Sequence, residues 1–259
     1  MFPFIPILSV FYVAVSFIQI GCLGPEPHSD RPILVFAAAS LVDSMSEIET
    51  KFEEQYDIDV SVSFGGSQML VQQIIRGAPA DIFIPAGNFQ ISELQEHDLV
   101  YGEPTDILLN QLVVISRPGI HLNSLDDLRG DGIRKIAIAN PQLAPAGNYA
   151  QEALIEAELW ESIREKIILG IDVRATLGYV ESGNVDVSIV YKTDAATVDT
   201  PISIYEVPQR TYSGITYPAA LISRSDRHEF SQEFVNFLRT IHAGHIFESY
   251  GFVPSVNEN

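Results

Sequence analysis

The sequence predicts an α/β protein built as two units, each a mainly parallel sheet flanked by helices, with a cleft between them. Three observations lead there. Short apolar runs of strand length alternate with segments whose apolar residues recur at helical spacing, the pattern of βαβ units. That alternation runs from residue 33 to about 97 and then restarts after 112. Strands near 110 and 220 are placed to cross from one unit to the other, and two lobes joined by two strands form a hinge.

Composition agrees with a folded core and narrows the partners. Of 259 residues, 46% are apolar, including ten tyrosines and fourteen phenylalanines. A net charge of −19 argues against nucleic acid or anionic membrane as a partner of this chain. Residues 1–21 carry no charged side chain, are apolar almost throughout, and lead to Ile20-Gly21-Cys22. That length suits a signal peptide or a membrane anchor. Ile-Gly-Cys resembles the end of a bacterial lipoprotein signal, in which the cysteine is acylated after cleavage. The departures are an n-region without Lys or Arg and Gln19 in the usual leucine position; an uncleaved anchor helix is the alternative. Either way the rest of the chain is expected to be exported. Cys22 is the sole cysteine, so no intrachain disulfide forms. Residues 23–31, with Pro25 and Pro27, read as a tether.

The elements follow in order. Ile33-Leu34-Val35-Phe36 is a short apolar run of the kind found in buried parallel strands. It passes through Ala37-Ala38-Ala39-Ser40 into a helix over 41–56, where Leu41, Met45, Ile48 and Phe52 share a face. Ser40 is a favoured N-cap type, and amides at a helix start lack intrahelical partners and favour negative charge. Residues 59–64 alternate as a strand and stop at Gly65-Gly66-Ser67; a helix follows to Gly77. Residues 81–86 form a buried strand and 91–97 a short helix. In such βαβαβ units ligands sit beyond the carboxyl ends of the strands, the edge that Ser40 and Ser67 occupy. The second unit begins with a strand at 112–116 and continues with a short helix at 124–128 and a strand at 135–139. Ala144-Pro145-Ala146-Gly147 then precedes a long helix over 148–160. Asp172 is placed to cap the next helix, 185–191 is a strand, and a last helix spans 231–243 with Phe234, Phe237, Leu238 and Ile241 on one face.

Several stretches together resemble one family. Val35-Phe36-Ala37-Ala38-Ala39-Ser40-Leu41, Ser63-Phe64-Gly65-Gly66-Ser67 and Gly77-Ala78-Pro79-Ala80-Asp81-Ile82-Phe83-Ile84 are similar to the periplasmic molybdate-binding components of ABC transporters. So are Pro145 to Leu154, Asp172-Val173-Arg174, Gly183 to Tyr191 with Thr193-Asp194-Ala195, and the closing Ile246 to Phe252. The resemblance runs in one order over nearly the whole chain after the leader. It implies the two-lobed periplasmic-binding-protein fold of type II: a leader at 1–22, a tether at 23–31, one lobe from 32–110 plus 218–259, and a second from 111–217. It also implies an extracytoplasmic, monomeric receptor that captures molybdate between the lobes and hands it to an ABC permease, with no catalysis and no cofactor. Tungstate or sulfate is the alternative ligand, and an enzyme on the same scaffold the alternative class.

Carried over position by position, the resemblance places Ser40 and Ser67 as hydroxyl and amide donors in the first lobe. Ala146 and Val173 would give backbone N–H groups in the second, and Tyr191 its phenol; the metal enters as molybdate through these same residues. Gly65-Gly66 stands where the family often has Ala-Ser, which removes side chains but no amides. The residue chemistry agrees independently. Burying a dianion requires compensating donors. Ser40, Ser67, Ala146 and Val173 all lie at expected helix starts, and about half a positive charge at each would offset a dianion without any lysine or arginine. Other constellations carry less. His242 and His245 lack a third metal ligand nearby, and Asp126-Asp127 and Glu152, Glu156 and Glu158 read as solvated helix faces. Asp194 caps or braces the cleft. There is no G-x-S-x-G, P-loop or G-x-G-x-x-G pattern to support an enzyme.

Overall fold

The structure is a computed structural model that describes residues 31–198 and 203–255. The leader with Cys22 lies outside the described residues. Strand β1 (Ile33–Ala38) passes through a single 3₁₀ turn, Ala39–Leu41, into α1 (Val42–Tyr56). Then come β2 (Val60–Gly65), α2 (Ser67–Ile75), β3 (Ile82–Ile84), α3 (Phe89–Glu96) and the long β4 (Val100–Asn110). The second lobe runs through β5 (Leu112–Ser116), β6 (Ile136–Ala139), α4 (Pro145–Glu156), α5 (Trp160–Ile163), β7 (Ile167–Gly170), α6 (Val173–Glu181), β8 (Val187–Tyr191), α7 (Lys192–Ala195) and β9 (Ser203–Glu206). The chain returns through β10 (Ile215–Ile222), α8 (His228–Leu238), α9 (Ile241–Ser249) and β11 (Val253–Pro254).

Two sheets result. One has the order β11-β4-β10-β3-β1-β2 and the other β7-β6-β8-β5-β9. Each is mixed around a parallel core: β1 lies parallel to β2 and β3, and β6 parallel to β7 and β8. Strands β4, β5, β9 and β10 run antiparallel within their sheets, because they carry the chain between lobes rather than out along a helix. The return crossover precedes Ile215, since β10 already pairs with β4 from that residue. It therefore lies ahead of the apolar stretch near 220 that the sequence pattern suggests.

Helix faces fill the space against the sheets. Phe52 is fully buried on α1, stacked on Tyr56 at 4.6 Å and edge-on to Phe234 of α8 at 4.9 Å. Truncating such a ring costs about 3–5 kcal/mol. The helix expected over 231–243 is two helices. Thr240 accepts a hydrogen bond from the Ala243 amide at 3.2 Å and so starts α9, breaking the run after Leu238. Helix α4 begins three residues earlier than its periodicity suggests, with Pro145 as its first residue, where a missing N–H costs nothing. Gly147 lets that first turn lie on the end of β6: a Cβ there would stand 2.1 Å from the Ala139 carbonyl oxygen.

Candidate functional site

Parallel strands deliver their carboxyl ends to the same sheet edge, and here two such edges face each other. Strands β1, β2 and β3 lead to Ser40, Ser67 and Ala86, and β6, β7 and β8 to Ala146, Val173 and Tyr191. All six residues line one cavity, together with Ala38, Ala39, Gly65, Gly66, Ala144, Pro145 and Asp172. The five residues singled out in the sequence are thus brought together. Ala86 escaped notice because an alanine after a buried strand carries no chemical signal. The cavity volume is about 10 Å³, on a scale where about 10–15 Å³ admits one water. That leaves no room for an extended organic ligand.

The lining offers hydrogen-bond donors and no cation. Among the described residues the amides of Ser40, Ser67, Ala146 and Val173 make no hydrogen bond to a turn, loop or cap carbonyl. Ser67, Ala146 and Val173 sit in the first turns of α2, α4 and α6, where amides lack intrahelical partners. Ser40 differs from expectation. It does not cap α1 but lies inside the preceding 3₁₀ turn, buried, with its Oγ 2.9 Å from the Tyr217 hydroxyl. The chain leaves β1 too tightly for a capping geometry, and a distant tyrosine takes the hydroxyl instead. The Ser67 hydroxyl accepts the Ala86 N–H at 3.2 Å, so its own hydrogen is available to the cavity. Tyr191 is buried, its hydroxyl has no hydrogen-bond partner among the described residues, and burial raises its pKa well above the usual phenol value. A buried, unpartnered donor facing a cavity is where an acceptor belongs.

Charged groups stand behind this lining. The Asp172 carboxylate, the one acidic group at the cavity, is turned onto the Ala175 amide as the N-cap of α6. Arg174 points away and ties the lobes together: its guanidinium meets Asp43 of α1 and lies 2.6 Å from Asp194 of α7. Asp194 is fully buried, and its pKa is pushed up to about 7. Burial is the main cause; it outweighs the attraction of Arg174, and the Asp43 and Asp172 carboxylates add to it.

The lobes also touch beside the cavity. Gln68 Nε2 donates to the Pro141 carbonyl at 3.3 Å. A Cβ on Gly66 would lie 2.3 Å from the Leu143 carbonyl oxygen and 3.2 Å from that of Ile171. Gly66 has ordinary extended torsions, so space rather than conformation demands glycine here. Among the described residues no group of three or more His, Cys, Asp or Glu side chains is arranged to hold a metal ion. None of the described helices is long and apolar enough to cross a membrane.

The profile of bacterial extracellular solute-binding proteins matches residues 33–253. The chain belongs to this family. Among its relatives is YvgL of Bacillus subtilis, named as a candidate ABC transporter substrate-binding lipoprotein. It is 32% identical over 254 residues, covering 94% of this chain and 97% of that one. The molybdate-binding protein ModA of Haemophilus influenzae is 32% identical over 240 residues, covering 90% and 94%. In three dimensions the family fold is shared with the periplasmic molybdate-binding protein of Azotobacter vinelandii. The TM-score is 0.80 and the identity 25%, over 87% of this chain and all of that one.

Proposed function

We propose that this protein is the extracytoplasmic receptor of an ABC transporter for molybdate, which it captures as the tetrahedral dianion between its two lobes and delivers to the permease. The observation that carries the reading is the convergence of six strand ends on a small cavity whose donors are all uncharged. Ser40 and Ser67 supply hydroxyls, Ala146 and Val173 supply amides, and Tyr191 supplies its phenol. Three helix starts face the ion, and their dipoles offset a charge whose burial would otherwise be very costly. The family membership and the molybdate-binding relatives favour the same ligand class. In this reading the protein binds and releases without chemistry, and tethering through an acylated Cys22 keeps it at the outer membrane face.

Titration calorimetry with molybdate, tungstate, sulfate and phosphate tests the ligand. Molybdate is expected to bind one ion per chain, with sulfate weaker because it is smaller and phosphate weakest because it must donate a proton. Saturation by phosphate at equal concentration would refute the site. Tungstate matches molybdate in size and charge and should compete for the same donors. Mass spectrometry of the native protein should find lipid on Cys22, and an intact Met1 would leave the anchor helix instead.

A further inference from the structure

We propose that Tyr217, held by Asn110, sets the direction of the Ser40 hydroxyl, fixing Ser40 as a donor and so discriminating against protonated oxyanions. The proposal rests on the oxyanion reading above and adds to it two positioning residues that do not line the cavity.

The direction follows from a chain of hydrogen bonds with one consistent polarity. The Gln111 N–H can only donate, and it reaches Asn110 Oδ1 at 2.8 Å. That contact fixes the amide, leaving Asn110 Nδ2 toward Tyr217 Oη at 3.0 Å and Thr193 Oγ1 at 2.9 Å. An amide nitrogen only donates, so Tyr217 Oη accepts from Asn110. The phenol keeps one hydrogen to place, and Tyr217 is fully buried. Ser40 Oγ, at 2.9 Å, is the one remaining partner of that hydroxyl among the described residues. Turning the hydrogen elsewhere would leave a buried donor unsatisfied. Tyr217 therefore donates to Ser40, and the Ser40 hydrogen is left for the cavity. Burial holds the Tyr217 phenol protonated far above its usual range, so the donor persists at any pH the fold tolerates.

Ser67 reaches the same state by a different route, since the Ala86 main-chain N–H occupies its oxygen. The Ser40 arrangement depends on side chains and is open to substitution. It also spans the molecule: Asn110 ends β4, Tyr217 lies on β10, and Thr193 belongs to α7 in the second lobe. All members are neutral, so the relay orients a donor without adding charge beside a bound dianion.

The test compares molybdate with hydrogen phosphate in calorimetric titrations at about pH 8, where both probes are dianions and any change in the site's overall field cancels in the ratio of affinities. Tyr217→Phe removes the donor, so Ser40 Oγ is free to turn and accept the P–OH hydrogen. Asn110→Asp keeps the shape but reverses the polarity: the carboxylate takes the Tyr217 hydrogen, Tyr217 accepts from Ser40, and the Ser40 hydrogen leaves the cavity. Each variant should narrow the molybdate-to-phosphate ratio about tenfold or more, the value of one hydrogen bond to a charged group. In a Ser40→Ala background, Tyr217→Phe should leave the ratio unchanged. A packing role would weaken both ions alike. A ratio that stays within about twofold of the unsubstituted protein in Tyr217→Phe, a shift smaller than any hydrogen bond to a charged group, overturns the proposal even where Asn110→Asp does not fold. Failure of the unsubstituted protein to bind molybdate overturns the underlying reading instead, and is read separately.

Discussion

The two halves of the cavity do the same work with different materials. The half built on β1, β2 and β3 presents two serine hydroxyls, each with its oxygen already engaged, by Tyr217 and by the Ala86 amide. The half built on β6, β7 and β8 presents the amides of Ala146 and Val173 at helix starts, with one phenol, Tyr191. Their supports differ in the same way. Behind Ser40 stands a neutral relay, whereas behind Val173 stands Arg174 between two carboxylates. Side-chain donors can be deleted one at a time; main-chain donors persist under most substitutions. The first half should therefore be sensitive to mutation and the second to pH.

The largest expected effect lies in the charged support. Asp194 has a folded pKa near 7, above its unfolded value, so the folded state holds the extra proton between those limits. Its contribution to stability is then greatest at low pH and is lost as pH rises toward 7, by up to about 4 kcal/mol for a shift of about 3 units. Denaturant melts of Asp194→Asn between about pH 5 and 8 should lose that slope. An unchanged slope would place the titration elsewhere and remove the contrast. Next come the hydroxyls. Ser40→Ala and Ser67→Ala should each weaken molybdate by about 1.5–3 kcal/mol in calorimetry. If both bind like the unsubstituted protein, the first half is not the hydroxyl half.

Gly66→Ala tests the contact between halves. Its Cβ would meet the Leu143 carbonyl, so closure should cost about 1–3 kcal/mol, lowering affinity roughly fivefold to 150-fold. Scattering with molybdate should then give a larger radius of gyration than for the unsubstituted protein. Smallest is the amide half: Val173→Ala keeps the main-chain N–H and should leave affinity within about threefold, roughly 0.6 kcal/mol. A large loss there would show that the valine side chain, not its amide, matters.

What was legible in the sequence follows the same division. Ser40 and Ser67 stand out because a polar residue follows small ones at the end of an apolar run. Ala146 and Val173 carry no chemical mark, and their importance comes from backbone position, which only the family resemblance suggested. Strand β4 went unread because Gly102, Glu103, Pro104 and Asp106 give it the composition of a loop, and most of its first half is solvent-exposed. Strand β7 went unread although Ile167-Ile168-Leu169 is an apolar run; it is short and lies at a sheet edge, with Ile168 and Leu169 exposed rather than buried. The Ser40–Tyr217–Asn110 relay joins residues 177 and 107 positions apart, and no local pattern encodes such a meeting.

Gly66 leaves one further consequence. Where it faces Leu143 and Ile171 the two jaws of the molecule meet main chain against main chain, with no side chain between them. The gap they close to is therefore a gauge set by carbon and oxygen radii, which are the same in every protein. Sequence drift around the mouth can alter charge, solubility or the surface shown to a permease while the calibre stays fixed. The weak point of that contact is Gly66, where an added methyl would meet the opposing main chain directly.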